Sequence, residues 1–194
     1  FHQASLQKSN YDLRKILDGS LVQVDPSHSV TFVENHDTQV CQALESPVEP
    51  WFKPLAYALI LLRSEGYPCV FYPDYYGAEY PNCRGGYPVI YYSHKFLIDK
   101  FLEARKQFAY GPEYTYFDHP NCIGWTRLGD KEAPLSIAVV MSNGGAGYKW
   151  MEVGKRKATY LDLTGHIKTP IVSNADGWGR FECLGESVSL WIEQ

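Results

Sequence analysis

Several common functional classes find no footing in this sequence. Its most conspicuous apolar run, Leu55–Leu62, falls far short of the roughly 18–20 residues that cross a bilayer. No basic stripe offsets the formal net charge of -4, so neither a nucleic acid nor a membrane is an expected partner. The G-x-x-x-x-G-K-[ST] phosphate loop is missing, and so is the G-x-S-x-G turn that exposes a nucleophilic serine. Five cysteines, Cys41, Cys69, Cys83, Cys122 and Cys183, provide no C-x-x-C metal or redox motif. Their odd number rules out complete pairing within the chain. They are expected to be mostly buried or isolated thiols, or else to form one or two disulfides of an exported protein. The opening Phe1-His2-Gln3 has neither the basic start nor the apolar core of a secretory leader, and no initiator Met, which fits a processed or partial chain.

What the sequence does contain is a globular balance, 45% apolar and 21% charged, with many aromatics: 15 Tyr, 9 Phe and 5 Trp. Aromatic faces suit sugar rings, but most are expected to pack cores and sheets. The pattern divides near Gly111. Before it, Ser9–Leu17 reads as a short helix, with Ser9 and Asp12 as a capping pair and Gly19 as its stop. Val30–Asn35 and Cys69–Tyr72 read as short buried strands. Trp51–Arg63 and Ser93–Tyr110 read as amphipathic helices, with Pro50 and Pro54 at the entrance of the first and Ser93 capping the second. Leu97, Phe101, Leu102, Ala104 and Phe108 are the expected inner side of that second helix. The Gly- and Pro-rich segment Asp74–Tyr92 reads as a long loop.

After Gly111 helices give way to β-rich stretches. They are 114–117, 122–126, 137–142, 149–153, 159–163, 179–183 and 187–192, with turns at Asn143-Gly144-Gly145 and Asp176-Gly177. The last stretch alternates Val188, Leu190 and Ile192 with Ser187, Ser189 and Trp191. An antiparallel domain of about 80 residues is expected there. Two strands in the first half cannot close a core or protect their edges. Upstream residues, or another chain, are expected to complete that half.

One constellation stands out chemically. Asn35-His36-Asp37 lies where an expected strand becomes a loop, and the C-terminal strand ends are the functional face of parallel α/β folds. His36 can donate to a substrate hydroxyl, and Asp37 can stabilise positive charge developing at a reacting carbon. The same residues can equally form a self-satisfied turn. Asp74 is a second strand-end carboxylate that can serve only to cap its loop. Asp118-His119 can meet an ion or the seam between halves, or form a surface turn. Trp51, Tyr72, Tyr75, Tyr76, Tyr91 and Tyr92 are candidate groove aromatics, each with packing as the alternative.

These residues also carry a resemblance. Phe32-Val33-Glu34-Asn35-His36-Asp37-Thr38-Gln39 resembles the fourth conserved motif of the alpha-amylase superfamily. Trp51–Ala58, Gly66-Tyr67-Pro68, Val70-Phe71-Tyr72, Ala104–Gly111, Tyr116–His119, Gly124–Arg127, Asn174–Gly179 and Ser187-Val188-Ser189 extend it in one order along the chain. The resemblance is to the C-terminal part of liquefying-type members. It implies an α/β plus all-β chain, with the C-terminal part of a (β/α)8 barrel over 1–111 and a Greek-key antiparallel domain over 112–194. Val30–Asn35 and Val70–Tyr72 would be barrel strands seven and eight.

The implied activity is hydrolysis, with retention, of internal α-1,4 bonds in starch, glycogen and maltooligosaccharides. Asp37 falls on the transition-state stabiliser, and Asn35, His36 and Gln39 fall among the substrate-binding residues. The nucleophile and acid/base motifs precede the first residue here, so the chain alone is expected to be inactive. The alternative is a non-catalytic carbohydrate-binding or structural subunit. The missing N-terminal barrel portion is the expected protein partner. Calcium is expected in the full-length parent, while no metal ligand is assigned within this chain. Some relatives hold a calcium between barrel and β domain, but this chain has His119-Pro120-Asn121 where they carry a His and Asp pair, and Asn143 where an Asp is expected. The loop Cys83-Arg84-Gly85-Gly86 departs from the bacterial pattern and hints at a eukaryotic or exported relative. A secreted location is the resulting expectation.

Overall fold

The computed structural model describes residues 1–194. The chain opens with helix α1 (His2–Gln7) and reaches a second short helix, α2 (Leu21–Val24), through irregular backbone. The single helix expected over Ser9–Leu17 is instead two 3-10 turns, Lys8–Asn10 and Leu13–Lys15. Asp12 separates them in an extended conformation, and its carboxylate accepts the Arg14 N–H, so the cap falls in the middle of the segment. The carbonyls of Lys8, Ser9 and Tyr11 accept hydrogen bonds from Asn121 and Asn143 in the second half. Tertiary partners thus replace the helical ladder. Gly19, at φ 68°, does end the segment.

Two strands follow the βαβ pattern. Strand β1 (Val30–Phe32) leads through a long loop to helix α3 (Lys53–Leu62), which returns to strand β2 (Tyr67–Cys69). Both strands are shorter than expected, and β2 starts two residues early. They pair in parallel, Val30 opposite Tyr67 and Phe32 opposite Cys69. Each has only this one neighbour, so their outer edges stay open and no closed barrel is formed. The expected burial fails for the same reason: Val30 is 63% exposed and Cys69 is exposed too. Helix α3 is buried almost all round, with Pro54 in the first turn, where a missing N–H costs nothing.

The expected long loop over Asp74–Tyr92 contains structure. Helix α4 (Tyr72–Tyr76) takes Pro73 in its first turn and ends at Gly77, φ 82°. Strands β3 (Ala78–Tyr80) and β4 (Val89–Tyr91) then form an antiparallel hairpin. Pro81, Gly85, Gly86 and Pro88 fall in the hairpin's connection. Helix α5 (Lys95–Gln107) begins with Ser93 Oγ accepting the Lys95 N–H. It buries Ile98, Phe101 and Ala104, while Leu102, expected inside, is exposed. Ile98 keeps the i, i+3 stripe with Phe101 and Ala104 that Leu102 would break.

The second half is all strand: β5 (Glu113–His119), β6 (Cys122–Arg127), β7 (Ile137–Ser142), β8 (Gly147–Glu152), β9 (Thr159–Asp162), β10 (Ile171–Val172), β11 (Trp178–Cys183) and β12 (Ser187–Glu193). Six of them form one sheet in the order β10-β9-β12-β7-β6-β5, and β8 with β11 forms a separate antiparallel pair. The last strand sits between β9 and β7, a Greek-key-like arrangement. The alternation in β12 does not mark a wet face, because the sheet is buried on both sides. Ile123, Trp125, Val139, Val188 and Leu190 face the core of the helical half. Ala138, Val140, Phe181, Cys183 and Trp191 form a second core beneath the β8–β11 pair. The first core therefore runs without a break from α3 and α5 into the large sheet. No helix is long and apolar enough to cross a membrane.

Candidate functional site

The Asn35–Gln39 turn begins three residues beyond the C-terminal end of β1, and the sequence closes it locally. Asn35 Oδ1 accepts the backbone N–H groups of Asp37 and Thr38, each at 3.0 Å. Thr38 Oγ1 accepts the Asn35 N–H at 3.0 Å, and Asn35 O accepts the Gln39 N–H at 3.1 Å. This Asx turn is what Asn in that position favours. It presents His36 and Asp37 outward on consecutive residues, with His36 Nε2 3.6 Å from Asp37 Oδ1 and both side chains more than half exposed. Gln39 is half-buried.

Below the turn lies a polar network that sequence reasoning missed. Glu34 points inward, away from its neighbours in the turn. Its Oε1 accepts the Val48 N–H at 2.5 Å, its Oε2 accepts the Tyr91 hydroxyl at 2.7 Å, and Lys53 Nζ stands 3.1 Å from it. The same ammonium bonds Asp74, whose other oxygen accepts the Tyr57 hydroxyl at 2.7 Å. Tyr57 in turn accepts the Phe71 N–H. Glu34, Lys53 and Asp74 are all buried. Burial is the main cause raising the Tyr57 and Tyr91 hydroxyls, reinforced by Asp74 and Glu34 respectively, so both remain donors. His94 packs nearby, and burial with the Lys53 charge pushes it down to about 4. The available signal was Lys53 itself, a lone charge on a helix that is apolar on every side.

The far side of the loop is clamped as well. A disulfide joins Cys41 to Cys83 in the β3–β4 connection. Tyr80 donates to Val40 O at 2.9 Å, and Arg84 pairs with Glu45 at 2.7 Å. One covalent and two polar ties thus fix the segment after Gln39 against the hairpin. The remaining cysteines, Cys69, Cys122 and Cys183, are free.

The structure separates the other candidates. Asp74 is a structural ion-pair partner. Tyr91 and Trp51 are packed, with Trp51 Nε1 donating to Ser5 O. Tyr75 donates to Asp99, while Tyr72, Tyr76 and Tyr92 are exposed. Asp118 pairs with Lys149, and His119 Nδ1 accepts the Asn121 N–H at 3.1 Å.

No family model matches the chain. Individual relatives do. It is 50% identical over 196 residues to a glucan 1,4-alpha-maltohexaosidase of Bacillus sp. (strain 707), covering 100% of this chain and 36% of that protein. It is 48% identical over 197 residues to the cytoplasmic alpha-amylase of Escherichia coli (strain K12), covering 99% and 39%. The chain is homologous to alpha-amylases. The alpha-amylase of Bacillus licheniformis is 47% identical over 197 residues, with 100% and 38% covered. The chain thus spans somewhat over a third of the length of these family members. Solved structures share the fold. An alpha-amylase I of Eisenia fetida, in complex with maltohexaose, superposes with a TM-score of 0.70 at 11% identity, covering 97% of this chain and 46% of that one. The gamma-CGTase of alkalophilic Bacillus clarkii gives 0.64 at 17% identity, covering 98% and 30%.

The calcium that the resemblance implies between the halves of some alpha-amylases does not fit the donors present at that seam. Asn121 Nδ2 donates to Ser9 O at 2.6 Å and to Asn143 Oδ1 at 3.0 Å. Asn143 Nδ2 donates to Lys8 O and Tyr11 O, both at 2.8 Å. The carbonyls that a hard cation would need already accept amide N–H groups, and no three His, Cys, Asp or Glu side chains gather there. Two neutral amides cross the seam directly.

Proposed function

We propose that this chain is part of a retaining alpha-amylase acting on internal α-1,4 bonds of starch, glycogen and maltooligosaccharides. The observation that carries the reading is an outward Asn35-His36-Asp37 turn beyond a parallel strand, in a chain half-identical over its whole length to a maltohexaosidase. Asp37 stabilises the oxocarbenium-like state, and His36 donates to a hydroxyl of the same sugar. Asn35 holds the turn through Oδ1 and keeps its Nδ2 for a sugar hydroxyl, as Gln39 keeps its amide. In this reading β1 and β2 are barrel strands seven and eight, 1–111 belongs to the barrel, and 112–194 is the Greek-key domain. The remaining barrel strands would cover the open edges of β1 and β2. The Cys41–Cys83 disulfide supports a secreted location.

The chain alone is inactive in this reading. Retention needs two carboxyl groups roughly 5 Å apart across the scissile bond. Asp37 supplies neither of those two roles, and the neighbouring Glu34 and Asp74 are committed to Lys53. The test is a maltooligosaccharide assay on the full-length protein and on residues 1–194. Asp37→Asn should lower kcat of the full-length enzyme by about 10²-fold or more, and residues 1–194 should release no reducing ends. Full activity in that variant, or Asp37-dependent hydrolysis by residues 1–194, overturns the proposal.

A further inference from the structure

Two free thiols meet in the second core, away from the Asn35–Gln39 turn. Cys122 opens β6 in the large sheet, and Cys183 closes β11 in the covering pair. Directly opposite Cys183 on β8 is Gly147. Side chains on such a pair lie on one face with Cβ atoms about 4.5–5.5 Å apart. A Cβ on Gly147 would fall 2.6 Å from Cys122 Sγ and 3.1 Å from Cys122 Cβ. The Cys122 side chain therefore fills the place that a residue 147 side chain would take beside Cys183. That arrangement brings the two Cβ atoms toward the roughly 3.5–4.5 Å that a disulfide requires. Both thiols belong to one buried cluster, where Cys122 Sγ donates to Tyr148 O at 3.9 Å.

We propose that Cys122 and Cys183 are a modification site, closing to a second disulfide on reaction with a small-molecule disulfide such as oxidised glutathione. Access and reactivity divide between the two sulfurs. Cys122 is 7% exposed and lines an open pocket of about 740 Å³ that it shares with Lys149, whereas Cys183 is 2% exposed and borders a smaller one of about 430 Å³. The neighbouring Cys183, with the Lys149 charge, lowers the Cys122 thiol, while the neighbouring Cys122 and burial raise Cys183. Cys122 is thus the attacking thiolate and Cys183 the resolving thiol. Cys122 displaces one glutathione thiolate from the oxidant and becomes the mixed disulfide. Cys183 then loses its proton, attacks Cys122 Sγ and expels the second glutathione. Two protein thiols are oxidised, one glutathione disulfide is reduced to two thiols, and no atom is left over. The new bond would tie the covering pair to the large sheet.

The experiment uses the whole chain with the exposed Cys69 changed to Ser, leaving Cys122 and Cys183 as the free thiols. The folded protein is incubated with oxidised glutathione, then counted for thiols in denaturant and mapped without reduction. The expected result is loss of both thiols, a linked Cys122–Cys183 peptide, a higher unfolding midpoint and full reversal by dithiothreitol. A lasting glutathione adduct on Cys122 beside a free Cys183 overturns the proposal, as does retention of both thiols. Gly147→Ala puts a methyl group into the Cys122 sulfur and should close the bridge several-fold more slowly. Closure at the unmodified rate would remove its geometric basis.

Discussion

Lys53 holds Glu34 and Asp74 at once, from the first turn of α3, with all three side chains shut off from water. One cation thereby ties the base of the Asn35–Gln39 turn to the start of α4. Removing it strands two carboxylates in an apolar interior. Lys53→Met should cost about 3–5 kcal/mol in chemical denaturation. The triple variant Lys53→Met, Glu34→Gln, Asp74→Asn should recover most of the loss, since its partners are neutral. An unchanged midpoint for Lys53→Met would show that the ammonium is not what steadies this region.

His94 gives the same region a pH dependence of known sign. Its Nε2 is buried without a hydrogen-bond partner, and its folded value of about 4 lies below the ordinary 6.5. Between those values the unfolded chain binds more protons than the folded one. The contribution of neutral His94 is therefore full above about 6.5 and is lost as pH falls toward 4. His94→Asn, which cannot titrate, should flatten the fall of Tm across that window. An equal slope in variant and wild type would place the acid sensitivity elsewhere.

Much of this architecture is legible in the sequence, for reasons that differ by region. The β half could be read because β6, β7, β11 and β12 are continuous β-rich runs separated by strong turns such as Asp176-Gly177. Only the two-residue β10 escaped, being too short to show a period. The helical half was harder. Val30–Asn35 and Cys69–Tyr72 read as interior strands, but only Val30–Phe32 and Tyr67–Cys69 pair, and the present neighbours leave Val30 and Cys69 exposed. Ser9–Leu17 carries helical periodicity, yet Asn121 and Asn143 take the carbonyls that a helix would use. The Asn35-His36-Asp37 turn was visible as a motif. The Glu34–Lys53–Asp74 network was not, because its members lie far apart in sequence and only the fold makes them neighbours.

The amide pair at the seam yields a third prediction. Asn143→Ala leaves the Tyr11 carbonyl without its donor and the Lys8 carbonyl with only the Tyr11 N–H, and should destabilise the chain by about 1–3 kcal/mol. Because amides rather than carboxylates cross this seam, calcium should leave Tm of residues 1–194 where it is, and so should a chelator. Asn143→Leu should fare no better than Asn143→Ala. A calcium-dependent rise in Tm that disappears in Asn143→Ala would restore an ion to this position.

The continuity of the first core bears on whether 1–111 and 112–194 can stand apart. Ile123, Trp125, Val139 and Leu190 are fully buried, and the core they belong to includes α3 and α5. Cutting at the boundary would expose this apolar surface on both pieces, and each buried Val or Leu is worth about 1.5–3 kcal/mol. The whole chain should therefore melt in one transition seen alike by calorimetry and by Trp fluorescence. Residues 1–110 should aggregate, and residues 112–194 should bind a hydrophobic dye that the whole chain does not. A monomeric 112–194 that unfolds cooperatively at the Tm of the whole chain would mean that the shared core contributes nothing to holding the β half together.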